Sequence, residues 1–202
     1  MQRYDYLNVI GADATDALCV STGWASREWW AVRPGDANLK TRTLGLVSSI
    51  AAGLAIALPH RKVIAIDGDG AFLMNLCGLP TIAQQNPGNF IHLLFDNEVY
   101  EASGGTATAS RHADAVVLAK GAGYQNALWV KSLEEFHAAF VRAWQRNELT
   151  LIAVKVEPGQ PKDLPPLKLD EIENKYRLMR YLEATEKKGI LNSGFDSKLG
   201  LS

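Results

Sequence analysis

The sequence has few cysteines, no basic excess and no long apolar run, and each absence excludes a class of protein. Cys19 and Cys77 form no C-x-x-C pair and have no neighbouring histidines, so we expect two buried free thiols rather than a disulfide or a zinc site. The 21 basic and 22 acidic residues give a net charge of −1, which argues against nucleic-acid binding. No apolar run approaches the roughly 20 residues of a membrane span. The N-terminus lacks a signal-peptide core, so we expect a cytoplasmic protein without a membrane partner.

Two common nucleotide-binding motifs are also missing. The chain contains neither G-x-x-x-x-G-K-[ST] nor a G-x-G-x-x-G that follows a strand. A flavodoxin-like nucleotide-binding module is therefore the weaker interpretation of this chain.

Strand-like and helix-like segments alternate from Ala17 to Val156. The segments Val63–Asp67, Phe90–Phe95 and Leu149–Val156 are apolar without alternation, which is typical of strands covered on both faces. This order predicts an α/β fold with a doubly wound parallel sheet and helices on both faces.

The prolines predict where the domain ends. Four of the eight fall in the segment 157–167, so we expect a binding domain over residues 1–160. Residues 161–202 are expected to hold a Pro-rich linker, a charged helix over Asp170–Lys188 and a tail. Upstream, the apolar segment from Thr43 to Leu58 predicts a buried helix at a subunit interface.

The stretch from Val63 to Gly105 carries the strongest functional pattern. A buried strand ends in Gly68-Asp69-Gly70, a helix is expected over Ala71–Gln85, and the next strand ends in Asp96-Asn97. Ligands bind at the carboxyl ends of strands in an open α/β sheet. A carboxylate, an amide oxygen, a backbone oxygen and phosphate oxygens suit magnesium. The alternative is that the Gly-Asp-Gly is only a tight turn.

A second candidate loop runs from Thr22 to Trp30. A glycine followed by a serine before a helix leaves backbone N–H groups free for an anion. The alternative is an ordinary strand-to-helix loop with a helix cap and an apolar staple. Arg27 is a candidate for holding an anionic group, or it pairs with Glu28 or lies at the surface. His92 lies inside a strand and favours a core position, whereas His112 is an open acid–base candidate. Residues 106–110 suggest a mobile loop.

Gly68-Asp69-Gly70 with Asn97 resembles the GDG…N motif of the thiamine-diphosphate enzymes. The resemblance covers about Ala17 to Val156 and implies their diphosphate-binding domain. IDGDGAFLMNL, DNEVYEASGGTAT, STGWASREWW and TLGLVSSIAAGLAIAL are most similar to the two-subunit sulfopyruvate decarboxylases, and next to the phosphonopyruvate decarboxylases.

The resemblance implies a role for each matching position. Magnesium would be held by the side chains of Asp69 and Asn97 and by the carbonyl of Val99. Leu44 would prop the cofactor in its bent conformation, although an ordinary core leucine is the alternative. The implied cofactor contacts are Thr22, Gly23, Ser26, Leu44, Gly45, Gly68, Gly70, Ala71 and Tyr100. The candidate substrate contacts are Arg27, Glu101 and Ser103.

The resemblance also implies half a site and therefore a partner. A separate pyrimidine-binding, alpha-type subunit would supply the glutamate that activates the cofactor, in a hetero-oligomer with a homodimer-like core. The reaction would be the decarboxylation of a 2-oxo acid to an aldehyde, with sulfopyruvate giving sulfoacetaldehyde for coenzyme M biosynthesis. A carboligase, another 2-oxo acid decarboxylase or a non-catalytic cofactor-binding subunit are the alternatives.

The sequence departs from its relatives beside the expected cofactor. They usually have Gly where Glu101 stands, Ser-Thr-Gly at positions 102–104, and Ser where Thr43 stands. A carboxylate at position 101 would disfavour an anionic substrate tail unless its side chain points away.

Overall fold

Six parallel strands form the central sheet of the computed structural model, which describes residues 1–187. The strands of the chain are β1 (Leu18–Thr22), β2 (Asn38–Thr41), β3 (Val63–Gly68), β4 (Phe90–Asp96), β5 (Val99–Tyr100), β6 (Thr106–Ala107), β7 (Asn126–Val130) and β8 (Thr150–Lys155). The α-helices are α1 (Arg3–Ile10), α2 (Gly23–Val32), α3 (Val47–Ala57), α4 (Asp69–Leu73), α5 (Gly78–Gln85), α6 (Ala115–Gly121), α7 (Leu133–Arg146) and α8 (Glu171–Glu186).

The strand order places a crevice at the ends of β1 and β3. The sheet runs β2-β1-β3-β4-β8-β7, and β5 and β6 form a separate antiparallel hairpin. The chain leaves β1 towards one edge and continues from β3 towards the other, so the strand order reverses between these two neighbours. In doubly wound sheets a ligand binds outside the carboxyl ends of the strands at such a point.

Helices cover both faces of the sheet, as the unalternated strands predicted. Helices α1, α2 and α7 pack on one face through buried side chains such as Leu7, Trp29 and Phe140. Helices α3, α5, α6 and α8 pack on the other, with Ile82 and Leu178 among the buried residues. The predicted doubly wound parallel sheet is confirmed.

The single helix expected over Ala71–Gln85 is wrong, because α4 and α5 are separated by a turn. Pro80 lies in the first turn of α5, where its missing N–H is tolerated, but in a longer helix it would remove a hydrogen bond. Within the turn, Asn75 Nδ2 donates to the carbonyl of Gly45 at 2.7 Å and to Ser49 Oγ at 3.1 Å. These two hydrogen bonds connect the turn between α4 and α5 to the start of α3.

The helix expected from Thr43 begins only at Val47 and is not buried all round. Gly45 has φ +85°, a left-handed conformation that interrupts a right-handed helix. Leu44 and Leu46 are 40% and 39% exposed, and Ile56 on α3 is 48% exposed. Whether a second subunit covers this surface stays a prediction.

Three local expectations are also corrected. Cys19 is buried, but Cys77 is exposed because it lies in the turn between α4 and α5. No loop separates β1 from α2, since the strand ends at Thr22 and the helix begins at Gly23. Residues 106–110 are not an irregular loop: they contribute β6 and enter a 3-10 helix, Ala109–His112, and Thr108 is buried.

Helix α8 covers the edge strand β2. The Asn174 side chain is fully buried, accepts a hydrogen bond from Lys40 N at 2.6 Å and donates to Asn38 O at 2.8 Å. It thereby satisfies backbone groups that an edge strand otherwise leaves unpaired. The predicted charged helix is present, the domain boundary at residue 160 stays a prediction, and the tail expected from Gly189 lies outside the described residues. Among residues 1–187, no helix has the length and apolar character needed to cross a membrane.

Candidate functional site

A cleft opens at the carboxyl ends of β1 and β3. Its walls come from the start of α2, the segment before α3, the β3–α4 junction and the hairpin after β4. Most of the predicted site residues line it: Thr22, Gly23, Leu44, Gly68, Asp69, Gly70, Ala71, Asn97, Val99, Tyr100, Glu101 and Ser103. The fold therefore brings together residues that lie up to 81 positions apart in the sequence (Thr22 to Ser103).

Gly70 permits a close approach between two of these walls. A Cβ added at Gly70 would overlap Cε1 of the Tyr100 ring and lie 2.8 Å from Cδ1 and 2.9 Å from Cζ. At Gly68, by contrast, an added Cβ meets nothing within 4 Å. The second glycine of the motif is thus required by the hairpin that packs on it, whereas this chain places no such demand on the first.

Asp69 is a buried carboxylate with only neutral partners among the described residues. It is 3% exposed, and its Oδ2 accepts a hydrogen bond from the Thr108 hydroxyl. Burial raises the pKa of Asp69, the hydrogen bond from Thr108 opposes that shift, and the nearby Asp96 carboxylate adds to it. No ion pair to Asp69 is formed within residues 1–187, so its negative charge is uncompensated.

A tight turn presents Asn97 and Val99 beside Asp69. Asn97 Oδ1 accepts a hydrogen bond from Val99 N at 3.1 Å, and the intervening Glu98 has φ +62°. A left-handed conformation is unfavourable for a residue with a side chain. The Glu98 backbone is held in it by two hydrogen bonds: its N–H donates to Asp96 Oδ1 at 3.1 Å, and its carbonyl accepts from Thr108 N at 2.9 Å. The backbone strain is therefore located between two of the three expected metal ligands.

The donor set suits a hard divalent cation with few protein ligands. Asp69, Asn97 and the Val99 carbonyl offer oxygen atoms only, which is the preference of Mg²⁺. Among the described residues, no three His, Cys, Asp or Glu side chains cluster as a metal site. Phosphate and water oxygens would have to complete the coordination, as they commonly do for Mg²⁺. A cation here would also compensate a buried charge that is costly when unpaired.

Leu44 projects into the cleft rather than the core. It lines the cleft and is 40% exposed, so the alternative of an ordinary core leucine is wrong. Opposite it, Trp24 at the start of α2 is 36% exposed, and Gly23 has φ +57°. The Thr22 hydroxyl donates to the carbonyl of Thr41 at 2.7 Å and so joins β1 to β2.

The Glu101 carboxylate is turned towards Arg3 and Gly159. Arg3 Nη2 lies 3.4 Å from Glu101 Oε2, and the Gly159 amide donates to Oε1. Arg3 also binds Glu28 through Nε at 2.6 Å and Nη2 at 3.0 Å. Burial raises the pKa of Glu28, and Arg3 opposes that shift. The carboxylate at position 101 is thus paired with a cation instead of projecting freely into the cleft.

Three predicted site residues lie outside the cleft lining. Ser26 is buried behind it, and its Oγ accepts a hydrogen bond from Ser21 Oγ at 3.0 Å. Gly45 lies beneath the lining, where its carbonyl accepts the hydrogen bond from Asn75. Arg27 donates to the carbonyls of Leu164 and Pro165, so it neither pairs with Glu28 nor faces the cleft.

The two histidines weighed as acid–base groups also lie elsewhere. His92 is fully buried in β4, and its Nε2 lies 3.3 Å from Asp67 Oδ2, which confirms the core interpretation. His112 is exposed at the end of the 3-10 helix and does not line the cleft.

Sequence reasoning missed Arg3, Thr108 and Ser110. No local pattern around Arg3 distinguishes it from a surface residue, and its two acidic partners lie 25 and 98 positions away. Thr106-Ala107-Thr108-Ala109-Ser110 alternates hydroxyl and alanine, but Thr106 is exposed and Ala109–His112 is a 3-10 helix, so this alternation does not single out the two buried hydroxyls.

Comparison with known proteins decides the family. The model of the thiamine pyrophosphate enzymes, C-terminal TPP-binding domain, matches residues 19–154, more than half of the chain. The chain belongs to this family. The resemblance deduced from the Gly-Asp-Gly and Asn97 is therefore confirmed, and thiamine diphosphate is the cofactor of the domain to which the cleft belongs.

Two curated relatives agree with the resemblance. The chain is 35% identical over 174 residues to the sulfopyruvate decarboxylase subunit beta of Methanocaldococcus jannaschii, covering 83% of this chain and 89% of that protein. It is 32% identical over 164 residues to the phosphonopyruvate decarboxylase of Streptomyces hygroscopicus, covering 80% of this chain and 41% of that protein. The chain therefore corresponds to nearly the whole of the first relative and to less than half of the second.

Solved structures share the fold. The benzoylformate decarboxylase of Polynucleobacter necessarius matches with a TM-score of 0.64 at 22% identity, over 83% of this chain and 34% of that one. The 4-hydroxybenzoylformate decarboxylase of Rhodococcus jostii RHA1 matches with a TM-score of 0.67 at 22% identity, over 80% and 33%. The chain spans about one third of these enzymes, so the matches bear on one domain.

Proposed function

We propose that this chain is the diphosphate-binding subunit of a thiamine-diphosphate-dependent 2-oxo acid decarboxylase, a carboxy-lyase that is active only with a partner subunit. The observation that carries the proposal is the buried, unpaired carboxylate of Asp69 at the carboxyl end of β3. It lies in the cleft beside Asn97, where a divalent cation would compensate its charge.

The proposed roles of the chain's own residues derive from their positions. Asp69, Asn97 and the Val99 carbonyl hold Mg²⁺, while the Gly70 and Ala71 amides at the start of α4 face the diphosphate. Leu44 supports the cofactor from the opposite wall. When bound, thiamine diphosphate supplies the carbon that adds to the keto group and accepts the electron pair released with carbon dioxide.

We propose a separate pyrimidine-binding, alpha-type subunit as the partner. The sulfopyruvate decarboxylase relative is named as a subunit beta, and this chain covers 89% of it. The solved relatives are about three times as long as the part that this chain matches. The partner would add the activating glutamate and close the cleft, in a hetero-oligomer with a homodimer-like core.

Sulfopyruvate is the proposed substrate, with sulfoacetaldehyde and carbon dioxide as products. The 35% identity to the sulfopyruvate decarboxylase subunit beta of Methanocaldococcus jannaschii supports this choice, and the pairing of Glu101 with Arg3 is compatible with an anionic tail. Arg3 is the only cationic side chain among the described cleft residues, and two carboxylates already share it. We therefore expect the partner to supply the positive charge that recognises the sulfonate.

Phosphonopyruvate is the second candidate substrate. It is favoured by the 32% identity to the phosphonopyruvate decarboxylase of Streptomyces hygroscopicus. Its tail is also anionic, so the geometry of Glu101 accommodates both acids and does not rank them. Another 2-oxo acid, a carboligation reaction and a non-catalytic cofactor-binding subunit are the further alternatives.

Calorimetric titration of thiamine diphosphate with Mg²⁺ tests the cofactor site. Saturable binding to the full chain assembled with its partner subunit, lost on addition of a chelator and in Asp69→Ala, is the expected result. Asp36→Ala is the matched control, since this carboxylate is exposed before β2, away from the cleft. The metal site is refuted if the unmutated complex does not bind, or if the complex with Asp69→Ala binds as well as the control.

A substrate panel tests the reaction with the partner subunit present. Carbon dioxide release is measured from sulfopyruvate, phosphonopyruvate, pyruvate and benzoylformate. Preference for sulfopyruvate supports the first choice, and preference for phosphonopyruvate selects the second. Cofactor binding without release from any acid would indicate a non-catalytic subunit.

A further inference from the structure

A chain of buried polar side chains runs from the cleft to the protein surface. The Thr108 hydroxyl donates to Asp69, Thr108 Oγ1 lies 2.9 Å from Ser110 Oγ, and Ser110 Oγ donates to Asp96 Oδ1 at 2.9 Å. Asp96 Oδ2 is paired with Lys155 Nζ at 2.7 Å. We call these five residues the hydroxyl relay. Its first four members are each at most 8% exposed.

The relay joins elements that are distant along the sequence. Asp69 begins α4, Asp96 ends β4 and Lys155 ends β8, while Thr108 and Ser110 come after the hairpin of β5 and β6. Buried hydroxyls with defined partners restrict the side-chain rotamers of the groups they contact. The relay therefore fixes the orientation of the Asp69 carboxylate through the Thr108 hydroxyl.

Thr108 has a second contact that connects the relay to the cleft wall. Its backbone N–H donates to the carbonyl of Glu98 at 2.9 Å, which closes the base of the hairpin. The same hairpin carries Val99 and Tyr100 into the cleft. One residue thus holds both the carboxylate of Asp69 and the base of the hairpin.

We propose that Thr108 and Ser110 are positioning residues for the metal ligand Asp69, and that through Thr108 they couple metal binding to the order of the hairpin. The proposal rests on the proposed function, since it takes Asp69 as a ligand of Mg²⁺. Neither hydroxyl lines the cleft, so each acts through Asp69 and not by touching cofactor or substrate.

Removing the hydroxyl of Thr108 with little change of shape gives the decisive variant. Partners of a metal ligand typically contribute 10–100-fold to metal affinity. Thr108→Val is therefore expected to raise the Mg²⁺ concentration for half-saturation by about 10–100-fold. Thr108→Ser keeps the hydroxyl and should stay near the unmutated value. Ser110→Ala should give a smaller rise than Thr108→Val, because its hydroxyl lies one step further from Asp69.

The measurement is a calorimetric Mg²⁺ titration of the full chain assembled with its partner subunit, with thiamine diphosphate present in excess. Thr106→Val is the matched control, because Thr106 lies on the same hairpin with an exposed side chain. Hydrogen exchange of the amides of residues 99–107, with and without Mg²⁺ and cofactor, gives a second readout. Protection on binding should appear in the unmutated chain and be reduced in Thr108→Val.

The outcomes separate this inference from the proposed function. No Mg²⁺-dependent binding to the unmutated complex refutes the metal site itself, and the relay's role with it. Binding to the unmutated chain with an unchanged midpoint in Thr108→Val refutes only the relay. An equal loss in Thr106→Val also refutes it, because the effect would then belong to the hairpin in general. If Thr108→Val does not fold, as judged by circular dichroism, Ser110→Ala decides: an unchanged midpoint overturns the proposal.

Discussion

Replacing Gly70 by alanine should weaken binding of the diphosphate while changing the stability of the chain only slightly. The added Cβ would lie 2.8 Å and 2.9 Å from two carbon atoms of the Tyr100 ring and would overlap a third. Carbon atoms pack best at about 3.5–4.0 Å, so the ring must retreat by more than about 0.7 Å, since the overlapped Cε1 is closer than the atom at 2.8 Å. That movement displaces one wall of the cleft, at the place where the Gly70 amide is proposed to face the diphosphate.

The stability change should be small because two effects oppose each other. Overpacking costs about 1–3 kcal/mol in a well-packed core. Tyr100 is only half-buried and can move towards solvent, so the lower end of that range applies. Against this, Gly70 has an ordinary negative φ in α4, where alanine is favoured over glycine by about 0.5–1 kcal/mol. The net change in the free energy of unfolding should therefore lie within about 1 kcal/mol.

A double-mutant cycle with Tyr100→Ala isolates the clash. In the Tyr100→Ala background Gly70→Ala should be stabilising by about 0.5–1 kcal/mol, and the coupling free energy should be about 1 kcal/mol. Urea unfolding measures these values, and calorimetry measures Mg²⁺-dependent cofactor binding.

Gly68→Ala is the matched control, since its Cβ meets nothing within 4 Å and its φ is −104°. Its free energy of unfolding should show no coupling to Tyr100→Ala. A coupling free energy near zero for Gly70→Ala, or full cofactor binding by that variant, would refute the reasoning.

Three further predictions concern buried polar groups. Arg3→Gln leaves the carboxylates of Glu28 and Glu101 without their cation and should destabilise the chain by about 3–5 kcal/mol in urea unfolding, whereas Glu101→Gln should change it by about 1 kcal/mol or less. Asn174→Ala leaves two backbone groups of the β2 edge unpaired and should cost about 1–3 kcal/mol; an unchanged melting temperature contradicts this. Burial raises the pKa of Asp69 above 3.8, its ordinary value. Between these two pKa values, and without metal, the folded chain binds more protons than the unfolded chain, so the free energy of unfolding falls as the pH rises. Calorimetric melts with chelator from about pH 4 to about pH 7 should show this fall, and Asp69→Asn should reduce it.

The fold was accessible from the sequence because its strands carry their own signal. Val63–Gly68 and Phe90–Asp96 are buried along almost their whole length, and an unalternated apolar run indicates burial on both faces. The edge strand β2 carries no such signal, since its polar residues are covered by α8 through Asn174. The break between α4 and α5 was readable from Pro80, but the partners that stabilise the turn lie near α3.

The candidate site also contains residues that the sequence could predict and residues that it could not. Asp69 and Asn97 come directly after strand ends, so their meeting could be deduced from topology alone. The pairing of Arg3 with Glu101 could not, because it depends on how α1 packs beside the hairpin and on a separation of 98 residues. It changes the interpretation of Glu101. The Glu101 carboxylate was expected to oppose an anionic substrate. It instead connects the hairpin to the N-terminal helix through Arg3 and to the segment after β8 through the Gly159 amide.

The hydroxyl relay gives a structural reason for the pH dependence of Asp69. Three oxygen–oxygen contacts connect Asp69, Thr108, Ser110 and Asp96, but each hydroxyl carries only one hydrogen. With both carboxylates ionised, two hydrogens must serve three contacts, and one contact is left without a donor. A proton on Asp69 completes the set, in keeping with its raised pKa. A divalent cation favours the ionised carboxylate and displaces that proton. Saturating Mg²⁺ with thiamine diphosphate should therefore remove the contribution of Asp69 to the fall in stability with rising pH, because its charge is then compensated, and the fall that remains should match that of Asp69→Asn.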